Sequence, residues 1–197
     1  MGKGSTQSTQ DALQRLRFFN EKAAELKRLS FIAKVSAEDA GFTAHFEPSQ
    51  LQVEKRGADQ ESTAALVLTL RFFLQERDGI QLEQIEQLYQ QIDVPAENRY
   101  WVSENLKDHQ AFLDRPTGVS IDEKPITNRM LLETFIYGHF AHANADKRTE
   151  YEIWKSGPFG LILEGLFEYV VAEVMRYIFW LQAMNAETIK ILEAQGG

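Results

Sequence analysis

The stretch Phe135-Ile-Tyr-Gly-His-Phe-Ala-His-Ala-Asn144 decides how this chain is read. It holds two of the four histidines, a glycine inside an apolar helical pattern, and a polar exit. Thr127 is placed to cap a helix through it, and Ile126 to pack against Leu131 as a hydrophobic staple. The spacing predicts a helix from there to about Ala143. On a wheel of ~100° per residue, Leu131, Leu132, Phe135, Ile136 and Ala143 share an inner face. His139 and His142 fall in the middle of that face, while Glu133, Thr134 and Tyr137 point away. Gly138 falls at the inner edge, where a missing side chain would let a second helix cross closely.

Downstream, Ser156-Gly157-Pro158 reads as a helix stop followed at once by a start. From Phe159 to about Met184 the chain is apolar nearly all round. Glu164, Glu168, Glu173 and Arg176 interrupt it, and each such charge costs on the order of 3 kcal/mol at bilayer depth. A bundle centre is therefore expected, with no membrane span. Asn185 is expected to break this helix before a short final one through Leu192. The same wheel places Glu173 among Phe159, Leu166, Val170, Tyr177 and Met184, with Glu164 and Glu168 on the more polar side.

A carboxylate on an apolar face has to be paired, protonated or solvated. His139, His142, His109 and Arg176 are the natural partners of Glu173. The sharp expectation is a buried cluster of Glu173 with His139, His142 or both, joined by His109 and Tyr137. Three chemistries fit those residues. The first is a hydrogen-bonded network that fixes helix register and needs no cofactor. The second is a divalent metal site, with His139, His142 and Glu173 as ligands for zinc, iron or manganese. The Glu-x-x-His repeats of di-iron bundles are absent: Ile136 stands three residues before His139, and His139 itself three before His142. The third is acid–base catalysis on RNA or another phosphodiester by His139, His142 and Glu173, with Arg148 and Asn144 beside them. The network is the leading expectation.

Upstream, residues 1–10 are polar and expected to be a disordered tail. Ala12, Leu16, Phe19, Ala23, Leu26 and Ala33 recur at helical spacing, which predicts a helix from Asp11 to about Ala33. Residues 41–56 alternate with period two around a Glu-Pro-Ser break and predict a small β-hairpin. Leu66, Val67, Leu70, Phe73 and Leu74 predict a helix ended at Asp78-Gly79. Leu82, Ile85, Leu88, Tyr89 and Ile92 predict a second. Val94-Pro95 starts a third, carrying Val102, Leu106, His109 and Leu113 on one face, and Arg115-Pro116 closes it. Thr117 to Pro125 reads as a loop with a short extended piece at Val119-Ser-Ile121. The fold class is mainly α: a multi-helix bundle with a small N-terminal β-hairpin. It forms one α-rich domain over residues 11–197, with the helical core at about 59–194.

Composition narrows the function classes. The chain has 197 residues, 44% hydrophobic and 25% charged, as a globular protein with a core requires. It has no cysteine, which removes disulfides, thiol nucleophiles and cysteine-ligated zinc; a cytoplasmic location is expected. Net charge is −8, yet residues 1–35 carry seven Lys/Arg against three Asp/Glu. The acidic remainder disfavours a broad nucleic-acid surface. No glycine-rich phosphate loop, Walker lysine or nucleophile-elbow serine is present.

The helix ending in Tyr137-Gly-His-Phe-Ala-His-Ala-Asn144, followed by a long apolar helix, resembles the layout of HEPN-like helical domains over roughly Thr127 to Met184. These are bacterial bundles of toxins, defence systems and mobile elements, many of them ribonucleases and many inactive. Active members carry an arginine a few positions before a histidine. Here Arg129 lies farther ahead of His139, and Asn144 and Arg148 follow His142. The resemblance therefore implies an inactive, interaction-type member that dimerises through its bundle helices, from a bacterium or phage. The expected function is a cytosolic interaction or regulatory protein, a homodimer whose protein partner is unknown. The alternative is a HEPN-like ribonuclease or metal-dependent hydrolase, with RNA as a partner only in that case.

Overall fold

The computed structural model describes residues 3–39, 69–74, 79–139 and 145–196. Its helices are α1 (Lys3–Asp39), α2 (residues 69–74), α3 (Leu82–Gln91), α4 (Ala96–Asp114), α5 (Asn128–His139), α6 (Ala145–Ser156) and α7 (Gly160–Gly196). Strands β1 (Pro116–Ile121) and β2 (Lys124–Thr127) lie between α4 and α5. The chain is thus mainly helical with one two-stranded antiparallel sheet among the described residues.

The framework is a pair of helices from opposite ends of the chain. Ala12, Leu16, Phe19, Ala23 and Leu26 of α1 are fully buried, and their alternating spacing of four and three is the seam pattern of a coiled coil. The α7 seam runs through Leu163, Val170, Val174, Ile178, Leu181 and Leu192. Arg17 pairs with Glu193, Asn20 with Gln182, and Lys27 lies over the Phe179 ring. Partner numbers fall as α1 advances, so the two helices run antiparallel. Each has 37 residues, a length of about 55 Å. Residues 3–10, expected as a disordered tail, are the first turns of α1 here; the helix also runs past the Ala33 expected to end it.

Asn185 does not break α7. Its amide is buried and satisfied from both sides: Tyr89 donates its hydroxyl to Asn185 Oδ1 at 2.9 Å, and Asn185 Nδ2 donates to Asn20 Oδ1 at 3.2 Å. Tyr89 also shares a 2.8 Å hydrogen bond with Thr188 Oγ1, and burial pushes its phenol up to about 12, so it stays neutral. Helix breaking by asparagine comes from competition for backbone groups; here the side chain is already engaged. The cluster fixes the register of α1, α3 and α7, as buried polar residues do in coiled coils. Tyr89→Phe should cost about 1–3 kcal/mol, because it strips a partner from groups that stay buried. A urea unfolding midpoint equal to that of the parent protein would refute this role.

The sheet falls in the middle of the chain, where a loop was expected, and not near the N-terminus. Residues 41–56, where the hairpin was expected, lie outside the described residues. Asp122 and Glu123 both have positive φ (51° and 64°), as a two-residue type I′ hairpin turn requires. Neither is the glycine or asparagine that announces such a turn. The hairpin returns the chain so that Asn128 meets the end of α4: its amide side chain donates to Phe112 O at 2.8 Å, and its backbone N–H to Arg115 O at 3.0 Å.

Helix α5 starts as expected, with Thr127 Oγ1 accepting the Met130 N–H at 3.2 Å. Leu131, Leu132, Phe135 and Ile136 are buried, and Phe135 stacks on Phe167 of α7 with centroids 4.8 Å apart. Its opposite side is covered by α6, which corrects one expectation: Thr134 is fully buried and donates to Glu150 Oε2 at 2.8 Å. Gly138 is the crossing point. A Cβ built there would lie 2.7 Å from the Tyr151 Cβ and against the Lys147 backbone.

Candidate functional site

The residues singled out from sequence separate in the structure. Glu173 is about a quarter exposed and accepts a 2.7 Å ion-paired hydrogen bond from Arg176 on the next turn of α7. One of its expected partners therefore holds it, and it needs no histidine to be satisfied. The buried carboxylate on α7 is instead Glu168, at 3% exposure. It was expected on the polar side, but α7 packs against α4, α5 and α6 as well as α1. Arg148 is exposed on α6. His139 closes α5, while its side chain, His142 and Asn144 lie outside the described residues. Among the described residues, no group of three or more His, Asp and Glu is arranged to hold a metal ion.

Among the described residues, the histidine whose side chain is placed is His109 on α4. Helical spacing with Val102 and Leu113 turns it inward, and it is 3% exposed. Its ring lies 4.9 Å from that of Tyr177 on α7, tilted by 48°. Neither Nδ1 nor Nε2 has a hydrogen-bond partner among the described residues. Burial pushes its pKa down to about 4, with Glu83 opposing and Arg129 adding to the shift. At neutral pH it is an uncharged imidazole offering one donor and one acceptor.

His109 borders two openings. One, of about 20 Å³, lies between α4 and α7 and is mostly apolar. The other is a cleft of about 80 Å³ where α2, α3, α4 and α5 meet. Glu83, Arg129, Glu133 and Tyr137 line this cleft, above a floor that includes Phe73 and Leu132. Arg129, Glu133 and Tyr137 follow one another at four-residue intervals along α5, on the face that the wheel turned away from the core. Sequence reasoning placed His109 and Tyr137 near each other; the structure puts both on this cleft. It did not single out Glu83 or Glu133, because nothing local marks a cleft assembled from four helices.

No protein-family model, curated protein or solved structure matches this chain. The site is therefore read from its own chemistry. Arg129 Nε donates to Asp114 Oδ1 at 3.1 Å, and Glu83 Oε1 accepts from Gln110 Nε2 at 3.2 Å. The Arg71 guanidinium lies over the Tyr137 ring at 5.1 Å. Such an arrangement can recognise a small polar molecule. A histidine with its pKa lowered to about 4 is a weak general base at neutral pH.

A second feature lies on the surface. Ile153 near the end of α6 is 58% exposed, and Phe159, Leu161 and Ile162 at the start of α7 are 40%, 82% and 53% exposed. The turn between the helices is tight: Gly157 N–H bonds to Ile153 O at 3.1 Å, and a side chain at Gly160 would strike the Lys155 backbone. Four large apolar side chains thus crowd one corner of the bundle. No helix among the described residues is long and apolar enough to cross a membrane, so a bilayer-spanning role for α7 does not account for them.

Proposed function

We propose that this is a helical interaction or regulatory protein that works as a homodimer, joined through the apolar corner at the α6–α7 turn. The observation that carries the proposal is the exposure of Ile153, Phe159, Leu161 and Ile162 within ten consecutive residues. Contiguous exposed apolar surface marks a contact site on proteins that otherwise keep such residues inside. A second copy is the fitting occupant. Arg148, Glu152 and Lys155 are exposed on α6 beside the corner, so a two-fold axis can bring opposite charges together despite the net −8 of each chain. The resemblance of Thr127 to Met184 to HEPN-like domains supports the same reading, since many members of that family dimerise through bundle helices. A cytoplasmic location and a bacterial or phage origin belong to this proposal. The alternative, a ribonuclease or metal-dependent hydrolase, rests on His139, His142 and Glu173, and no geometry among the described residues favours it.

Light scattering on purified protein tests the proposal. The chain should run as a dimer, and Leu161→Glu with Ile162→Glu should weaken association at least about a hundredfold, since like charges would meet across the axis. Helical circular dichroism should be unchanged, because both side chains are already in water. A monomeric parent protein at every concentration would overturn the reading.

A further inference from the structure

We propose, resting on the homodimer argued above, that the second copy docks along α7, the two α7 helices running antiparallel and crossing at Gly165. The chain itself explains two other helical glycines by contact: a Cβ at Gly138 or Gly160 would strike backbone. Gly165 has no such reason, since a Cβ there would meet nothing within 4 Å. Glycine is nevertheless the costliest residue in a helix interior after proline. What uses its bare backbone lies outside the chain, and a closely approaching helix is such a neighbour. Within one chain alanine there would be free of contact, so its cost would appear only in association. On a wheel of ~100° per residue, Leu161, Tyr169 and Ala172 fall beside Gly165, with Ile162 at the edge of the same face. Leu161, Ile162 and Tyr169 are 82%, 53% and 46% exposed, while Leu163, Phe167, Val170 and Val174 on the other side of α7 are buried. Under a two-fold axis at Gly165, each residue before it faces the residue equally far after it on the other copy. Leu161 then meets Tyr169, and Pro158 meets Ala172.

Charge identifies the occupant as a second copy and sets its direction. Moving from Gly165 toward the N-terminus, the chain passes the α6–α7 turn and reaches Lys155, then Glu152 one helical turn farther, both exposed. Moving toward the C-terminus it reaches Glu173, then Arg176, which is exposed. The order is thus positive then negative on one side, and negative then positive on the other. An antiparallel copy sets Lys155 against Glu173 and Glu152 against Arg176. A parallel copy would set each of these charges against its own kind. Such self-complementarity lets two chains of net charge −8 associate at this face.

The chain has no cysteine, so an introduced one reports on contact between copies alone. Under mild oxidation Gly165→Cys should give a disulfide-linked dimer, because a residue on the axis faces itself within the roughly 7 Å that a disulfide can span. Leu161→Cys and Tyr169→Cys should not cross-link singly, since each lies about 12 Å along the helix from its own counterpart. A chain carrying both should cross-link, which keeps the test usable if a side chain at Gly165 blocks the crossing. Lys155→Glu should weaken association measured by light scattering, and Glu173→Lys in the same chain should restore it. The proposal is overturned if the parent protein is dimeric but neither Gly165→Cys nor the double-cysteine variant cross-links; dimerisation at the apolar corner then stands without this crossing. It is equally overturned if all three single-cysteine variants cross-link alike, or if the charge swap stays as weak as Lys155→Glu alone. A parent protein that is monomeric at every concentration removes the crossing and the homodimer together.

Discussion

Gly138→Ala is expected to destabilise the fold by about 2–3 kcal/mol, a loss near the upper end for overpacking a tight contact. The added methyl would lie 2.7 Å from the Tyr151 Cβ and nearer still to the Lys147 carbonyl. These obstacles are backbone and a Cβ, so relief requires moving α6 as a body. That motion would open the edge-to-face contact of Phe135 with Tyr151, at 5.1 Å, and the Thr134–Glu150 hydrogen bond. Alanine's better helix propensity returns at most about 1 kcal/mol. In a chain of this size the net loss lowers the melting temperature by roughly 5–10 °C. Gly165→Ala is the matched control: nothing lies within 4 Å of its Cβ, so propensity alone acts and the melting temperature should hold or rise. If Gly138→Ala melts no lower than the parent, α5 and α6 do not cross there.

Gly138 shows what was legible in the sequence. A glycine in an otherwise apolar helical pattern forfeits stability unless something needs its bare backbone, and the wheel named the right edge. Leu131, Leu132, Phe135 and Ile136 were equally readable, because one covered face leaves a 3.6-residue period. So were the ends at Arg115-Pro116 and Ser156-Gly157-Pro158, where proline and glycine chemistry is local. Thr134 and Glu168 failed for a shared reason: a helix covered on two or more sides keeps only a narrow solvent face, so periodicity alone does not say where a polar residue points. Asn185 failed because its partners Tyr89 and Asn20 are 96 and 165 residues away. The hairpin was missed because Glu123 adopts positive φ where glycine or asparagine would announce the turn. At the candidate site, the inward turn of His109 was readable, but the cleft exists only once four helices meet.

Acidification is expected to destabilise the protein through His109 by roughly 3 kcal/mol between pH 6.5 and 4, since each tenfold change in proton affinity is worth about 1.36 kcal/mol. The folded pKa is lowered to about 4 from an ordinary 6.5. Above pH 6.5 the imidazole is neutral in both states and contributes no pH dependence. As pH falls through 6.5 the unfolded chain takes up a proton that the folded protein refuses, so stability declines with falling pH. Near pH 4 the folded form titrates too, and the loss is complete. The cause is burial against Tyr177; Glu83 offsets part of it, and Arg129 reinforces it. Surface carboxylates also titrate in this range, so the measurement is a difference between two proteins. His109→Phe keeps an aromatic ring against Tyr177 and removes both unpartnered nitrogens. Denaturant unfolding of the two proteins at pH 7 and pH 4 should show the variant no less stable at the higher pH, and its advantage growing by the full amount at the lower. A gap that stays constant between those pH values would mean that His109 is protonated as readily folded as unfolded. The imidazole would then have to find, in the folded protein, a partner able to hold its charge.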